Sequence, residues 1–183
     1  MFLLVNIQKL PVIIQKFGLH SIFTRTGFVF FGGLVGGIFS IWIFAKIYSL
    51  PFLKIFSFTL SVTPFIHAFG RIGCFCAGCC YGIKYEGVGT VYIHGAERLP
   101  VQLYEAFLNI ILFIIIQINL IKKKNIIPIY FLGYGIIRFF CELLRGDEPR
   151  GFIGFFSISS WISLILIVLG LIFSIKKSRR DSL

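Results

Sequence analysis

The sequence predicts an all-α fold, a polytopic transmembrane helical bundle of about five spans that follows a partial N-terminal segment. Two observations predict this class. Apolar residues make up 57% of the chain against 14% charged residues, and the mean hydropathy is +0.93. Several apolar runs also approach the roughly 20 residues that a helix needs to cross a bilayer. Because no polar block is long enough for a soluble domain, one bundle is the predicted organisation.

Five apolar segments are the candidate spans, and polar, glycine-rich or basic residues separate them. They are Gly27–Ile47, Pro51–Phe75, Val101–Ile121, Ile126–Leu144 and Phe155–Ile175. Residues 1–26 are too interrupted for a full span, since Pro11 breaks or kinks a helix. We therefore expect an interfacial or partial helical segment at 1–26 and a transmembrane domain over 27–183.

The net charge of +11 lies mostly between and after the spans. Alternating the five spans places Lys46, Lys54, the Lys122–Lys124 run and the basic C-terminal tail on one side of the membrane. The positive-inside rule makes that side cytoplasmic. The C-terminus is then cytoplasmic, and the loop after the second span faces outward. Since topology explains the charge, no nucleic-acid partner is expected.

Some ionisable residues lie within the spans or at their outer ends, where a charge is costly and is by default a functional hypothesis. They are Arg71, Glu105, Arg138, Glu142 and Arg145. The last three share one helical face, because they are spaced at i, i+4 and i+7. His67 lies one turn before Arg71 and shares its face.

The third span carries a similar polar stripe, in which Gln102 and Glu105 share a face beside Tyr104. We expect the three stripes to converge on one polar pocket in the outer half of the membrane. Three arginines against two acids leave a positive surplus, which suits an anion such as phosphate. The alternative is a salt-bridge network with a purely structural role.

The run GGLVGG contains two overlapping small-xxx-small pairs, which begin at Gly32 and Gly33. Such pairs favour close helix packing. Bare backbone beside a lipid headgroup is the second interpretation.

Four cysteines form a C-x-C-x-x-C-C cluster from Cys74 to Cys80. Packing at a helix end or disulfide formation is favoured here over a metal, since structural zinc sites usually combine two separated pairs of ligands. A nucleophilic thiol is a further alternative, because Arg71 nearby would favour a thiolate.

Four blocks resemble, in the same order, the bacterial prolipoprotein diacylglyceryl transferases. They are GFVFFGGLVGG at Gly27–Gly37, GRIG at Gly70–Gly73, RLPVQLYEA at Arg98–Ala106 and YGIIRFFCELLRGDE at Tyr134–Glu148. The resemblance implies a multi-pass enzyme of the bacterial inner membrane. It would move diacylglyceryl from phosphatidylglycerol to the lipobox cysteine of a preprolipoprotein signal peptide and release glycerol phosphate, with no cofactor and no metal.

The resemblance also assigns roles by position. The implied catalytic residues are Arg71, Arg138 and Glu142, and His67 is added as the base that would substitute for a family histidine missing here. The expected substrate-binding residues are Arg145, Gln102, Tyr104, Glu105, Arg98, Gly32, Gly33 and Tyr134. Two departures matter, since Phe31 replaces a histidine and Cys74 replaces an asparagine of the family pattern. A non-catalytic membrane protein that binds anionic lipid, or a thiol-redox or metal protein built on the cysteines, are the alternatives.

Overall fold

The computed structural model describes residues 28–147, 152–153 and 155–181, with side chains described over 35–147 and 155–175. The predicted N-terminal segment, 1–26, lies outside the described residues. The chain divides into two compact units. Of the described residues, the first unit contains 28–56 and 152–153, and the second contains 57–147 and 155–181.

The described part of the chain contains five α-helices, one for each predicted span. They are α1 Phe28–Ile47, α2 Phe52–Cys76, α3 Val101–Ile121, α4 Ile127–Leu143 and α5 Ile158–Asp181. The predicted all-α class is confirmed, and the ends of the first four helices lie within one residue of the predicted span ends. The fifth span was predicted to begin at Phe155, but Ser157 caps the helix and delays its start, because its hydroxyl accepts a hydrogen bond from the Ser160 N–H at 3.1 Å.

Short strands occupy the polar loops. They are β1 Val91–Ile93, β2 Ala96–Arg98, β3 Phe152–Ile153 and β4 Phe156–Ser157. Strands β1 and β2 form an antiparallel hairpin in which Val91 pairs with Arg98. His94 and Gly95 join them with φ of 51° and 73°, as a tight two-residue hairpin turn requires. Sequence reasoning had treated this region only as a polar, glycine-rich loop.

The distribution of apolar side chains is that of a membrane protein. Among the residues that the structure describes, three helical segments are long and apolar enough to cross a bilayer, namely Phe52–Cys76, Val101–Ile121 and Ile158–Ile175. Large apolar side chains such as Phe58, Ile114 and Ile165 are exposed, whereas several polar side chains are buried. In water this arrangement would be unfavourable, but in lipid the exposed apolar faces contact acyl chains. The chain is therefore an integral membrane protein.

Helix α4 packs against both α3 and α5. Gly135 allows the close approach to α5, because a β-carbon at this position would lie 3.0 Å from the Ser163 carbonyl oxygen and 2.8 Å from Ile167. Small residues at such contacts are typical of helix packing in membranes. Helix α2 contacts α3 through Phe65 and Phe113, and the Gln117 side chain donates a hydrogen bond to the Ser61 carbonyl at 2.9 Å.

Candidate active site

A continuous row of alternating charges runs through the second unit. Arg71 Nε lies 3.0 Å from Glu105 Oε1, and Arg138 Nη1 lies 3.2 Å from Glu105 Oε2. Arg138 Nη2 in turn lies 2.7 Å from Glu142 Oε2. The row continues through Arg145, whose Nη1 is 3.5 Å from the same Glu142 oxygen. The row therefore joins α2, α3 and α4, as the convergence of the polar stripes predicted.

Arg145 ends the row in a bidentate pair with Asp147, with both N–O distances 2.9 Å. Burial opposes the charge of Arg145, but Asp147 outweighs it and raises the pKa of the guanidinium. The predicted surplus of one positive charge was wrong, because Asp147 supplies a third acid. The formal charges of the six side chains cancel, so the row is electrically balanced before any ligand binds.

The burial of the row makes its pairing energetically important. Glu105 is only 2% exposed, and Arg138 is 9% exposed. A charge buried this deeply would be strongly destabilising without a partner. Two serines at the start of α5 complete the pairing, since Ser157 donates to Glu142 Oε1 at 3.0 Å and Arg138 donates to the Ser159 hydroxyl at 3.2 Å.

A backbone junction holds Arg145 in place. The Ile83 N–H donates to the Leu144 carbonyl, and the Gly146 N–H donates to the Tyr81 carbonyl, both at 3.0 Å. These bonds attach the segment after α4 to the loop that follows α2. The position of Arg145 therefore depends on backbone contacts between segments more than sixty residues apart.

Arg71 is the most accessible of the three arginines. Its side chain is 17% exposed, compared with 11% for Arg138 and 5% for Arg145. Within the described chain, Arg71 forms an ion pair through Nε alone. Its two terminal nitrogens thus have donor capacity for an added anion, and that anion would lie beside the Arg138–Glu105 pair.

The rings of His67 and Tyr134 are in contact next to the row, with centroids 4.9 Å apart and planes tilted by 42°. Tyr134 stacks on Tyr130 at 5.6 Å with an interplanar angle of 3°. His67 Nδ1 is buried and has no hydrogen-bond partner among the described residues. The imidazole therefore keeps one nitrogen available one helical turn from Arg71.

The other predicted substrate-binding residues lie around the loop after α2. Gln102 is buried and donates to the Cys79 carbonyl at 2.6 Å. Tyr104 is 39% exposed and its hydroxyl lies 3.5 Å from the Gly89 carbonyl. Arg98 stacks over the Tyr81 ring at 4.4 Å. None of these three forms a described ion pair with the charged row.

Gly32 and Gly33 lie in α1, in the first unit. The structure does not describe their surroundings.

Three of the four clustered thiols come together. The sulfur atoms of Cys74, Cys79 and Cys80 all lie within 4.8 Å of one another, whereas Cys76 is exposed and outside this group. Partial burial and the neighbouring Cys80 and Cys74 thiols raise the pKa of Cys79 to about 11. With this pKa the Cys79 thiol stays protonated at neutral pH and is a poor nucleophile. No disulfide joins these four cysteines.

Comparisons with known proteins identify similar chains. The family model described as prolipoprotein diacylglyceryl transferase matches residues 10–176. A phosphatidylglycerol–prolipoprotein diacylglyceryl transferase of Clostridium tetani is 29% identical over 99% of this chain and 75% of its own length. Relatives of the same name from Chlorobaculum tepidum and Idiomarina loihiensis are 35% and 32% identical over 79% and 84% of this chain. The chain spans only 54% and 61% of the lengths of these last two.

Proposed function

Because the chain belongs to the prolipoprotein diacylglyceryl transferase family, we propose that it transfers diacylglyceryl from phosphatidylglycerol to a lipobox cysteine. The relatives carry phosphatidylglycerol and prolipoprotein in their names, and this chain would use the same two substrates. The chain would act as a transferase of the bacterial inner membrane. The preprolipoprotein would enter through its signal peptide, from within the bilayer.

The observation that carries the proposal is that Arg71 pairs with Glu105 through Nε, which leaves its two terminal nitrogens able to donate to a ligand. The row also orients these two nitrogens. The two non-bridging oxygens of a phosphodiester fit such a fork, because each accepts one of two parallel hydrogen bonds. Arg138 lies on the same carboxylate, so a phosphate at Arg71 would lie close to a second cation.

The charge of the leaving group determines how the site assists the reaction. The sulfur of the lipobox cysteine attacks the carbon of the diacylglyceryl group that carries the phosphate ester, a C–S bond forms and the C–O bond to the phosphate breaks. The electron pair of the broken bond stays on the departing glycerol phosphate, whose negative charge therefore grows. Fixed guanidinium groups stabilise that growing charge in a water-poor site, where they act most strongly.

The proton of the attacking thiol needs an acceptor. We assign this role to His67, whose Nδ1 is buried without a hydrogen-bond partner among the described residues. Tyr134 would orient the imidazole ring through the contact between the two rings. Cys79 does not suit the role, because its pKa of about 11 keeps it protonated. Glu142 would act as a positioning residue, since it pairs with both Arg138 and Arg145.

The remaining residues would shape the entrance. Gln102 ties α3 to the Cys79 carbonyl, Arg98 lies on the Tyr81 ring, and Tyr104 would contact the lipid headgroup from its exposed position. Under the positive-inside rule the site opens toward the outer side and the C-terminus is cytoplasmic. In a variant whose native cysteines are replaced by serine, a cysteine introduced at Lys123 should then react with an impermeant maleimide only after the cells are permeabilised. Labelling of intact cells by this variant would indicate the opposite orientation.

The test is a transfer assay in detergent with phosphatidylglycerol and a lipobox peptide. We expect Arg71→Ala to lower kcat by roughly 10²- to 10³-fold, the size of the loss when one preorganised donor to an anion is removed. Arg71→Lys should recover only part of the loss, because an ammonium cannot donate as a fork. Lys54→Ala, which removes an exposed cation from the same helix, is the matched control and should leave activity unchanged.

Other outcomes would decide against the proposal. Equal activities of the Arg71→Ala and Lys54→Ala variants would exclude Arg71 from the phosphate site. A wild-type chain that binds phosphatidylglycerol and releases no glycerol phosphate would be a lipid-binding membrane protein. Phe31, in the place of a histidine of the family pattern, favours this second function.

A further inference from the structure

We propose that Cys74, Cys79 and Cys80 form a binding site for a thiophilic cation, Zn²⁺ or Cu⁺. The inference is independent of the transfer reaction, because none of these side chains takes part in the steps described above. It rests on how the end of α2 folds, on the sulfur positions and on the charge around them.

The end of α2 brings the three thiols together through its capping turn. The Cys79 N–H donates to the Cys74 carbonyl at 3.1 Å, and the Gly78 N–H donates to the Phe75 carbonyl at 3.0 Å. This pair of bonds defines a Schellman turn, whose left-handed residue is Gly78 with φ of +65°. The turn folds Cys79 and Cys80 back toward the last helical turn, which carries Cys74.

The distances between the sulfur atoms suit a small cation. All three sulfurs lie within 4.8 Å of one another, and Cys79 and Cys80 are 3.6 Å apart. With Zn–S bonds of about 2.3 Å, thiolates around one Zn²⁺ lie about 4 Å apart. Small side-chain rotations therefore suffice to coordinate a cation, and the backbone can stay in place.

Thiolate ligands determine which cation the site would take. Soft sulfur donors select Zn²⁺ and Cu⁺ over oxygen-seeking cations such as Mg²⁺ and Ca²⁺. Three thiolates around either cation carry net negative charge, and Cys80 lies within electrostatic range of Arg71 and Arg145. These guanidinium groups would stabilise the occupied site.

A cation accounts for the cluster better than a disulfide. A disulfide joins two sulfurs and leaves the third thiol of the group unused, and adjacent cysteines such as Cys79 and Cys80 pair only with strain. Simple packing accounts poorly for Cys79, which is exposed. Cys76 and the buried Cys141 lie outside the group of three, which gives the chain two internal controls.

The experiment titrates the reduced, metal-free protein in detergent with Zn²⁺, and separately with Cu⁺, under anaerobic conditions. We expect one cation per chain and the loss of three titratable thiols. Substitution of Co²⁺ for Zn²⁺ should produce thiolate-to-metal charge-transfer absorption. Cys79→Ser and Cys80→Ser should weaken binding at least tenfold, whereas Cys76→Ser and Cys141→Ser should bind like the wild type.

Three results would overturn the proposal. Cys76→Ser could weaken binding as much as Cys79→Ser does, or the protein could bind no stoichiometric cation. The third result concerns the protein as isolated, which could have a mass two hydrogens lower than the reduced chain, as a disulfide would give. If reduction then restored the full number of titratable thiols and the protein still bound no cation, the cluster would be a redox pair. Thermal unfolding of each variant separates loss of the site from loss of the fold, and no transfer activity is needed for any of these readouts.

Discussion

The most informative perturbation of the charged row is Glu105→Gln, which removes one charge and almost no volume. Glu105 bridges Arg71 at 3.0 Å and Arg138 at 3.2 Å, and its side chain is 3% exposed. After the substitution Arg138 keeps Glu142, whereas Arg71 loses its only described ion-pair partner. The variant therefore creates one uncompensated cation at the junction of three helices.

The magnitude follows from the geometry. At about 3 Å and an effective dielectric constant near 20, each ion pair contributes about 5 kcal/mol of Coulomb energy. Desolvation of the charges offsets much of this energy, and the measured cost of breaking a buried pair from one side is about 3–5 kcal/mol. We expect the free energy of unfolding to fall by that amount, which is a large part of the stability of a typical domain.

The assay is unfolding by sodium dodecyl sulfate in mixed micelles, monitored by the fluorescence of the chain's two tryptophans. Glu97→Gln, at an exposed position on β2, is the matched control and should change stability by less than about 0.5 kcal/mol. The double variant Glu105→Gln/Arg71→Gln should be more stable than Glu105→Gln alone, because it removes the unpaired cation.

Two results would refute this reasoning. If Glu105→Gln and Glu97→Gln lowered stability equally, the row would contribute no more than surface charges do. If adding Arg71→Gln lowered stability further, Arg71 would stabilise the bundle through contacts other than its pair with Glu105.

Two further predictions concern helix α5. Ser157→Ala should lower the free energy of unfolding by about 1–2 kcal/mol, because it removes a helix cap and the donor to Glu142 Oε1. Ser157→Thr keeps the hydroxyl and should behave like the wild type in the same unfolding assay. An equal loss of stability in both variants would exclude the hydroxyl as the cause. Gly135→Leu should cost about 1–3 kcal/mol or more, because the new side chain would force α4 away from α5. The matched control is Gly73→Ala, since an added β-carbon there meets nothing within 4 Å, and equal thermal stabilities of these two variants would contradict the close packing.

Sequence reasoning identified five of the six side chains of the charged row but not all the ion pairs that they form. The i, i+4 spacing of Arg138 and Glu142 already predicted their pairing, because residues one turn apart on a helix are neighbours. The pairing of Glu105 with both Arg71 and Arg138 joins three helices, and no periodicity within one helix specifies how helices are placed side by side. Asp147 was missed because it lies in the loop after α4, where a charged residue has little desolvation cost and is therefore no signal of a functional site.

The cysteine cluster illustrates the same limit at shorter range. The spacing C-x-C-x-x-C-C was visible in the sequence, but which thiols meet depends on where α2 ends. The Schellman turn at Gly78 places Cys79 and Cys80 beside Cys74 and leaves Cys76 outside the group. A glycine four residues after the first cysteine was the signal that could have predicted this grouping.

The sequence by itself determined the class of protein, and it determined the number and most of the ends of the helices that the structure describes. These properties depend on the length of apolar runs and on local signals such as glycines, prolines and lysine clusters, because bilayer thickness imposes one helix length on each span. Only the tertiary structure decided which acid neutralises which arginine, which arginine keeps free donors and which thiols share a site. Those outcomes depend on contacts between residues far apart in the chain, and they are selected by the high cost of leaving a buried charge unpaired.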